Sequence, residues 1–180
     1  MERQEIFKFD VVSVRLVKDA AIFSDKKITS PKDAVSLVGK ILCEMDREVV
    51  GVINLKADGT PINCHFASIG AINMALAEPR EIFKSAILSN AAQMLLIHNH
   101  PGGTLKPSRE DTVMTDRLLK LSRLLGIPLL DHVIVGGNEG KYFSFREKGM
   151  LTMSEISLVH DYNCIDFEEK AIVKEVKRGR

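Results

Sequence analysis

Apolar residues recur along this chain with two different spacings, and the change of spacing divides it into elements. Near the start, alternation of apolar and polar positions over residues 11–17 predicts a strand. Ser30 is then followed by Pro31, a pair typical of a helix N-cap and first helical residue. Apolar positions continue at helical spacing as far as Leu42, so we expect a helix between these points.

The next segments have the alternation and residue types of strands. Residues 48–55 and 62–69 are rich in β-branched side chains and flank Asp58-Gly59, which together predict a β-hairpin. Pro79 opens a second predicted helix that ends near Asn90.

Strands and helices continue to interleave through the second half. An apolar run over 93–98 predicts a buried strand, and the prolines and glycines that follow predict a loop. Ser108 begins the clearest helix, which Gly126 ends, and residues 129–135 and 142–145 predict two more strands. The predicted apolar stripe of this helix is Val113, Leu118, Leu121, Leu124 and Leu125. The interleaving predicts an α/β or α+β fold, a sheet with helices packed against it.

Composition narrows the class of protein. The chain has 180 residues, 45% of them hydrophobic and 27% charged, as expected for one globular domain. Its net charge of +1 argues against a protein that coats nucleic acid or an anionic membrane, although a local nucleic-acid contact stays open. The charged N-terminus, the lack of a long apolar run and three scattered cysteines predict a cytoplasmic protein without a membrane span.

Residues 98–111 contain the residue types of a metal site. His98 and His100 are two apart at the end of a strand, so both imidazoles can face one ion. Asp111 falls in the first turn of the following helix and can reach back toward them. Two imidazoles and one carboxylate suit Zn²⁺, and three protein ligands leave a fourth position for water, as in catalytic sites.

A hydrolytic site of this kind also needs a proton carrier and an oxyanion donor. Glu48 is the candidate carrier, and Ser108 is the candidate donor. Both parts of the motif, the histidine pair and the Ser108–Asp111 segment, also have a simpler interpretation. The two histidines could cap a strand, and Ser108 with the acids after it could be an ordinary helix N-terminus. His132 is expected to be a packed histidine rather than a fourth ligand, and Cys64-His65 is expected to pack.

The order His-x-His-Pro, six residues, Ser-x-x-Asp is similar to the JAMM motif of the JAB/MPN metalloprotease superfamily. The wider context, over about residues 31–151, resembles the JAB domain of the RadC family. The segments that resemble it are residues 79–84, 90–92, 98–101, 107–111, 130–136 and 144–149.

The resemblance implies a curved mixed sheet flanked by helices, of the cytidine-deaminase-like architecture. It implies Zn²⁺ bound by His98, His100 and Asp111, with Glu48 and Ser108 as catalytic residues, and hydrolysis of a peptide or isopeptide bond in an unknown peptide or protein substrate. Full-length RadC proteins usually have a helix-hairpin-helix region, and residues 1–30 show none, so we expect a stand-alone member of the type found on mobile elements. Residues 152–180 are expected to form a polar extension.

A non-catalytic RadC-like module in DNA repair or mobile-element maintenance is the alternative function. The hairpin edge strand and the polar C-terminal extension could both support a homodimer.

Overall fold

The computed structural model describes residues 13–70, 78–137 and 140–151. Within them lies a five-stranded mixed sheet with the order β2-β1-β3-β4-β5. The strands are β1 (Val49–Leu55), β2 (Pro61–Ile69), β3 (Gln93–His100), β4 (Leu129–Gly136) and β5 (Tyr142–Ser144). The helices are α1 (Pro31–Ala34), which continues through a π-helical turn (Val35–Gly39) into α2 (Lys40–Cys43), then α3 (Pro79–Leu88) and α4 (Arg109–Leu124). The predicted α/β class, with helices flanking a mixed sheet, is confirmed.

The hairpin forms as the sequence predicts. β1 is buried along its whole length and pairs antiparallel with β2 on one side and with β3 on the other. Gly59 adopts a φ of +82° in the connecting turn, where a Cβ atom would lie 2.8 Å from the carbonyl oxygen of Ile28. That turn therefore requires glycine, both for its backbone conformation and for the close approach of the chain.

β3 and β4 are parallel, and α4 connects them across one face of the sheet. Alternate residues of β1 and β3 therefore contribute to two separate layers of core. One layer packs Leu95 and Ile97 against the first helix, and the other packs Met94 and Leu96 against α3 and α4. His98 and His100 continue the second set of positions, so they lie on the face that α4 covers.

Two predictions about local structure are wrong. Residues 13–17, the described part of the predicted N-terminal strand, form no strand, and Val14, Leu16 and Val17 are exposed. Alternation favours an extended chain, but a strand also needs a partner for its backbone groups, and this segment pairs with no strand among the described residues. Residues 11 and 12 and the C-terminal extension from 152 lie outside the described part.

The second error is the apolar stripe of α4. Val113, Leu124 and Leu125 are exposed, whereas the buried positions are Asp111, Thr115, Leu118 and Ser122. Leu118 is buried as predicted and Leu121 is partly buried against the same core. The helix is rotated so that Asp111 and Thr115 face the sheet beside the histidines of β3.

Two further observations bear on the earlier expectations. Cys64 packs against the core layer of the first helix, as expected, and burial raises the pKa of its thiol to about 12. In the described ranges, no helix combines the length and the apolar character that crossing a membrane requires.

Candidate metal centre

The end of β3 presents two imidazoles side by side. The strand extends to His100, two residues beyond the predicted end, so its alternation brings His98 and His100 to one face. Their Nε2 atoms are 3.0 Å apart. His98 is fully buried, and His100 reaches the surface with one edge.

The first turn of α4 supplies the carboxylate. Ser108 is the N-cap of the helix, and it forms a capping box with Asp111. The Ser108 backbone N–H and its hydroxyl both donate to Asp111 Oδ2, at 2.7 Å each. Held in this way, Asp111 places Oδ1 at 3.3 Å from His98 Nε2 and Oδ2 at 3.4 Å from His100 Nε2.

Glu48 completes the group from the residue before β1. Val50, two residues further on, is paired with His98 across the β1–β3 ladder, and the same register, extended by two residues, places Glu48 opposite His100. Ligand atoms of Glu48, His98, His100 and Asp111 all lie within 4.8 Å of one another. The residues predicted from sequence as ligands and proton carrier are therefore brought together, while their individual roles stay predictions.

Asn99 fixes the chain on both sides of Glu48. Its Oδ1 accepts a hydrogen bond from the Val49 backbone N–H at 2.8 Å, and its Nδ2 donates to the Arg47 carbonyl at 3.0 Å. The side chain is buried and points to the opposite face from the two histidines. Sequence reasoning missed this residue, although its position between the two histidines of a His-x-His motif was a signal.

The spacing of the donor atoms fits a small divalent metal ion. Donors at bond lengths of about 2.0–2.1 Å around a tetrahedral ion are separated by roughly 3.3 Å. The two Nε2 atoms are 3.0 Å apart, and each has one carboxylate oxygen of Asp111 at a similar distance, Oδ1 at 3.3 Å from His98 and Oδ2 at 3.4 Å from His100. Two imidazoles and a carboxylate are also donors that transition metals accept. The group is therefore a candidate metal site.

The electrostatics of the group keep its carboxylate ionised. Burial on its own would raise the pKa of Asp111, but the nearby imidazoles of His100 and His98 and the hydrogen bond from Ser108 outweigh it and hold that pKa far below its ordinary value. The same contact with Asp111 raises the pKa of His100, and Glu48 adds to this effect.

The outer nitrogens of both histidines have partners. His100 Nδ1 donates to the Thr104 carbonyl at 3.0 Å, so Nε2 is the nitrogen that faces the group. His98 Nδ1 lies 2.7 Å from Nε2 of His132, whose other nitrogen contacts Thr115. Burial, together with the nearby His98, lowers the pKa of His132 well below its ordinary value, so its ring is neutral. His132 thus contacts a candidate ligand on the side away from the group and is a packed, fully buried histidine, as expected, whereas Thr115 was missed.

Ser108 has the simpler of its two predicted roles in this structure. Its hydroxyl caps α4 by accepting from the Asp111 backbone N–H at 3.0 Å, and it donates to the Asp111 carboxylate. An additional role as an oxyanion donor stays a prediction.

Comparison with known proteins identifies one matching family and several relatives. A family described as RadC-like JAB domain matches residues 28–150. Three similar relatives each have the name UPF0758 protein. The one from Clostridium acetobutylicum is 43% identical over 129 residues, which cover 72% of this chain and 56% of the relative. The one from Methanosarcina mazei is 37% identical over 126 residues, or 70% and 54%. The one from Caldanaerobacter subterraneus is 40% identical over 122 residues, or 68% and 52%. The chain thus spans a little over half the length of these relatives.

Proposed function

The chain belongs to the RadC-like JAB domain family, and from this membership and the geometry of its site we propose that it is a zinc-dependent hydrolase of peptide or isopeptide bonds. The observation that supports the proposal most is the grouping of Glu48, His98, His100 and Asp111 within 4.8 Å. Two imidazoles and a carboxylate favour Zn²⁺ over Mg²⁺ or Ca²⁺, which prefer all-oxygen sites.

His98, His100 and Asp111 are the residues that would bind the ion. Three protein ligands leave one coordination position for water or for the substrate carbonyl. When bound, Zn²⁺ lowers the pKa of a coordinated water toward ~7 and polarises the scissile carbonyl. The capping box and the Thr104 carbonyl hold Asp111 and His100 before any ion arrives, so little rearrangement is needed.

Glu48 is suited to move the proton. It is half-buried at the rim of the group, and Asn99 anchors the residues on both sides of it. In the proposed reaction its carboxylate accepts the proton of the attacking water and delivers it to the leaving amine. The Ser108 hydroxyl donates to the carboxylate of Asp111 at 2.7 Å, and in the proposed reaction it would turn from Asp111 to donate to the oxyanion.

Glu48→Gln tests the assignment of the proton carrier. We expect hydrolysis to fall by on the order of 10²–10⁴-fold, because the amide cannot accept the proton, while bound zinc stays near one per chain. The probe is a library of internally quenched peptides, with a parallel set joined through a lysine ε-amine. Glu110→Gln is the matched control, since it removes the same charge from an exposed position next to Asp111.

Three results would contradict the proposal in different ways. Loss of zinc from Glu48→Gln would make Glu48 a ligand. Full activity in that variant would remove it from the mechanism. A wild-type protein that contains zinc and cleaves neither set of peptides would refute the proposed activity.

A further inference from the structure

We propose that His132 and Thr115 are positioning residues that set the tautomer of His98 and join it through hydrogen bonds to the backbone of Asp111. The inference deepens the proposed function, because it concerns the same metal site. Neither residue belongs to the group of candidate ligands.

A continuous chain of short contacts runs behind the site. His98 Nδ1 is 2.7 Å from His132 Nε2, and His132 Nδ1 is 2.6 Å from Thr115 Oγ1. The Thr115 hydroxyl is 2.6 Å from the Asp111 carbonyl oxygen. All four residues are buried, so solvent does not compete for these contacts.

The proton positions along this chain follow from its last acceptor. A carbonyl oxygen can only accept, so the Thr115 hydroxyl donates to Asp111 and its oxygen accepts from His132 Nδ1–H. The His132 ring is fully buried and stacks on Phe145 with an interplanar angle of 4°, and its two nitrogens contact His98 and Thr115, so among the described residues no carboxylate balances a second proton there. His132 Nε2 therefore has no proton and accepts from His98 Nδ1–H.

The consequence for the site is a single tautomer of His98. With its proton on Nδ1, the ring directs the lone pair of Nε2 toward His100 and Asp111, which is the form that binds a metal ion. The chain ends on the backbone of Asp111, so two ligands from β3 and α4 are connected through β4.

Two segments away from the site, the part of β4 at Asp131 and the turn after β5, help to position His132. Asp131 accepts hydrogen bonds from the Ser144 hydroxyl and from the Arg146 backbone N–H. These bonds fasten the turn that follows β5 and hold Phe145 against the His132 ring, with ring centroids 4.9 Å apart. The segments around Asp131 and Ser144 thus hold the His132 ring in place.

Thr115→Val is the decisive variant, because valine keeps the shape of the side chain and removes the hydroxyl. Thr115→Ser restores the hydroxyl. Ser122→Ala is the matched control: it removes another buried hydroxyl from the same face of α4, one that donates to the Leu119 carbonyl at 2.8 Å and is away from the site.

Zinc affinity is measured by competition with a chromophoric chelator at neutral pH. We expect a loss of roughly 10–100-fold in Thr115→Val, the range typical of removed outer partners of a metal ligand. Thr115→Ser should bind zinc within a few-fold of wild type, and Ser122→Ala should equal wild type. Unchanged zinc affinity in a folded Thr115→Val would overturn the inference.

The ¹⁵N chemical shifts of the His98 ring in metal-free protein provide a second readout that does not depend on the metal. Wild type should show the Nδ1–H tautomer, and Thr115→Val should show a mixture of tautomers. A wild-type His98 with no proton on Nδ1 would refute the relay even if Thr115→Val failed to fold. If wild type bound no zinc, the proposed function would fail, while these shifts would still decide whether the relay exists.

Discussion

Replacing Ser108 with alanine separates two roles that the same hydroxyl is expected to have, and the chain contains its own control. Ser30 and Asp33 form a second capping box at the start of α1, on the other face of the sheet. Its hydroxyl donates to Asp33 Oδ2 at 2.8 Å, as that of Ser108 donates to Asp111 Oδ2 at 2.7 Å. Among the described residues, only the Ser108–Asp111 box is part of a candidate metal group.

The loss of stability should be similar at the two positions. Each alanine removes an acceptor for the N3 backbone N–H, at 3.3 Å in the Ser30 box and 3.0 Å in the Ser108 box. Loss of such a cap costs about 1 kcal/mol of unfolding free energy, within a range of roughly 0.5–2. For a domain of this size, 1 kcal/mol lowers the Tm by about 2–4 °C.

The effect on hydrolysis should differ. Removal of one oxyanion donor costs on the order of 10²–10³ in kcat, and Ser108→Ala should show a loss of that size while Ser30→Ala keeps wild-type turnover. Both variants are measured by thermal unfolding and by cleavage of the best peptide from the library, with zinc content checked in each. Wild-type turnover in both variants would reduce Ser108 to a helix cap. A loss of turnover in Ser30→Ala equal to that in Ser108→Ala would show that the readout reports stability alone.

Three other outcomes are expected. Asn99→Ala should lower turnover while metal analysis still finds about one zinc per chain; loss of zinc would contradict this. It should also lower the free energy of unfolding, measured in urea, by about 1–3 kcal/mol for each of the Arg47 and Val49 backbone groups left without a partner. Cys64, whose pKa burial raises to about 12, is almost entirely a thiol at pH 8. Iodoacetamide should therefore alkylate it on the order of 100-fold more slowly in folded than in unfolded protein, as followed by peptide mass; equal rates would refute its burial. Zinc at about 100 times its Kd should add roughly 2.7 kcal/mol of stability to wild type and none to His100→Ala, as seen in the Tm; an equal rise in both would place the binding elsewhere.

Local signals allowed most of the fold and the candidate ligands to be predicted. The boundaries of α4 follow from Ser108 and Gly126, whose capping preferences act within a few residues. The grouping of His98, His100 and Asp111 follows from one strand, one loop and one helix start that are adjacent in the chain.

What sequence reasoning missed depends on contacts between distant parts of the chain. Thr115 and Ser122 are polar, so their spacing does not indicate a buried face, and Thr115 is buried because it meets His132. That pair is 17 residues apart, and His132 and His98 are 34 apart. The N-terminal segment has the opposite problem, since its apolar alternation at Val14 and Leu16 meets no partner strand among the described residues.

The metal content of the purified protein tests the central claim most directly. Elemental analysis should find about one zinc per wild-type chain, and none in His100→Ala or Asp111→Ala, with circular dichroism unchanged in both variants. Two of the ligands would remain in each variant, too few for a site that needs three. Wild-type protein that contains no metal after reconstitution with zinc at neutral pH, or variants that retain it, would contradict the account.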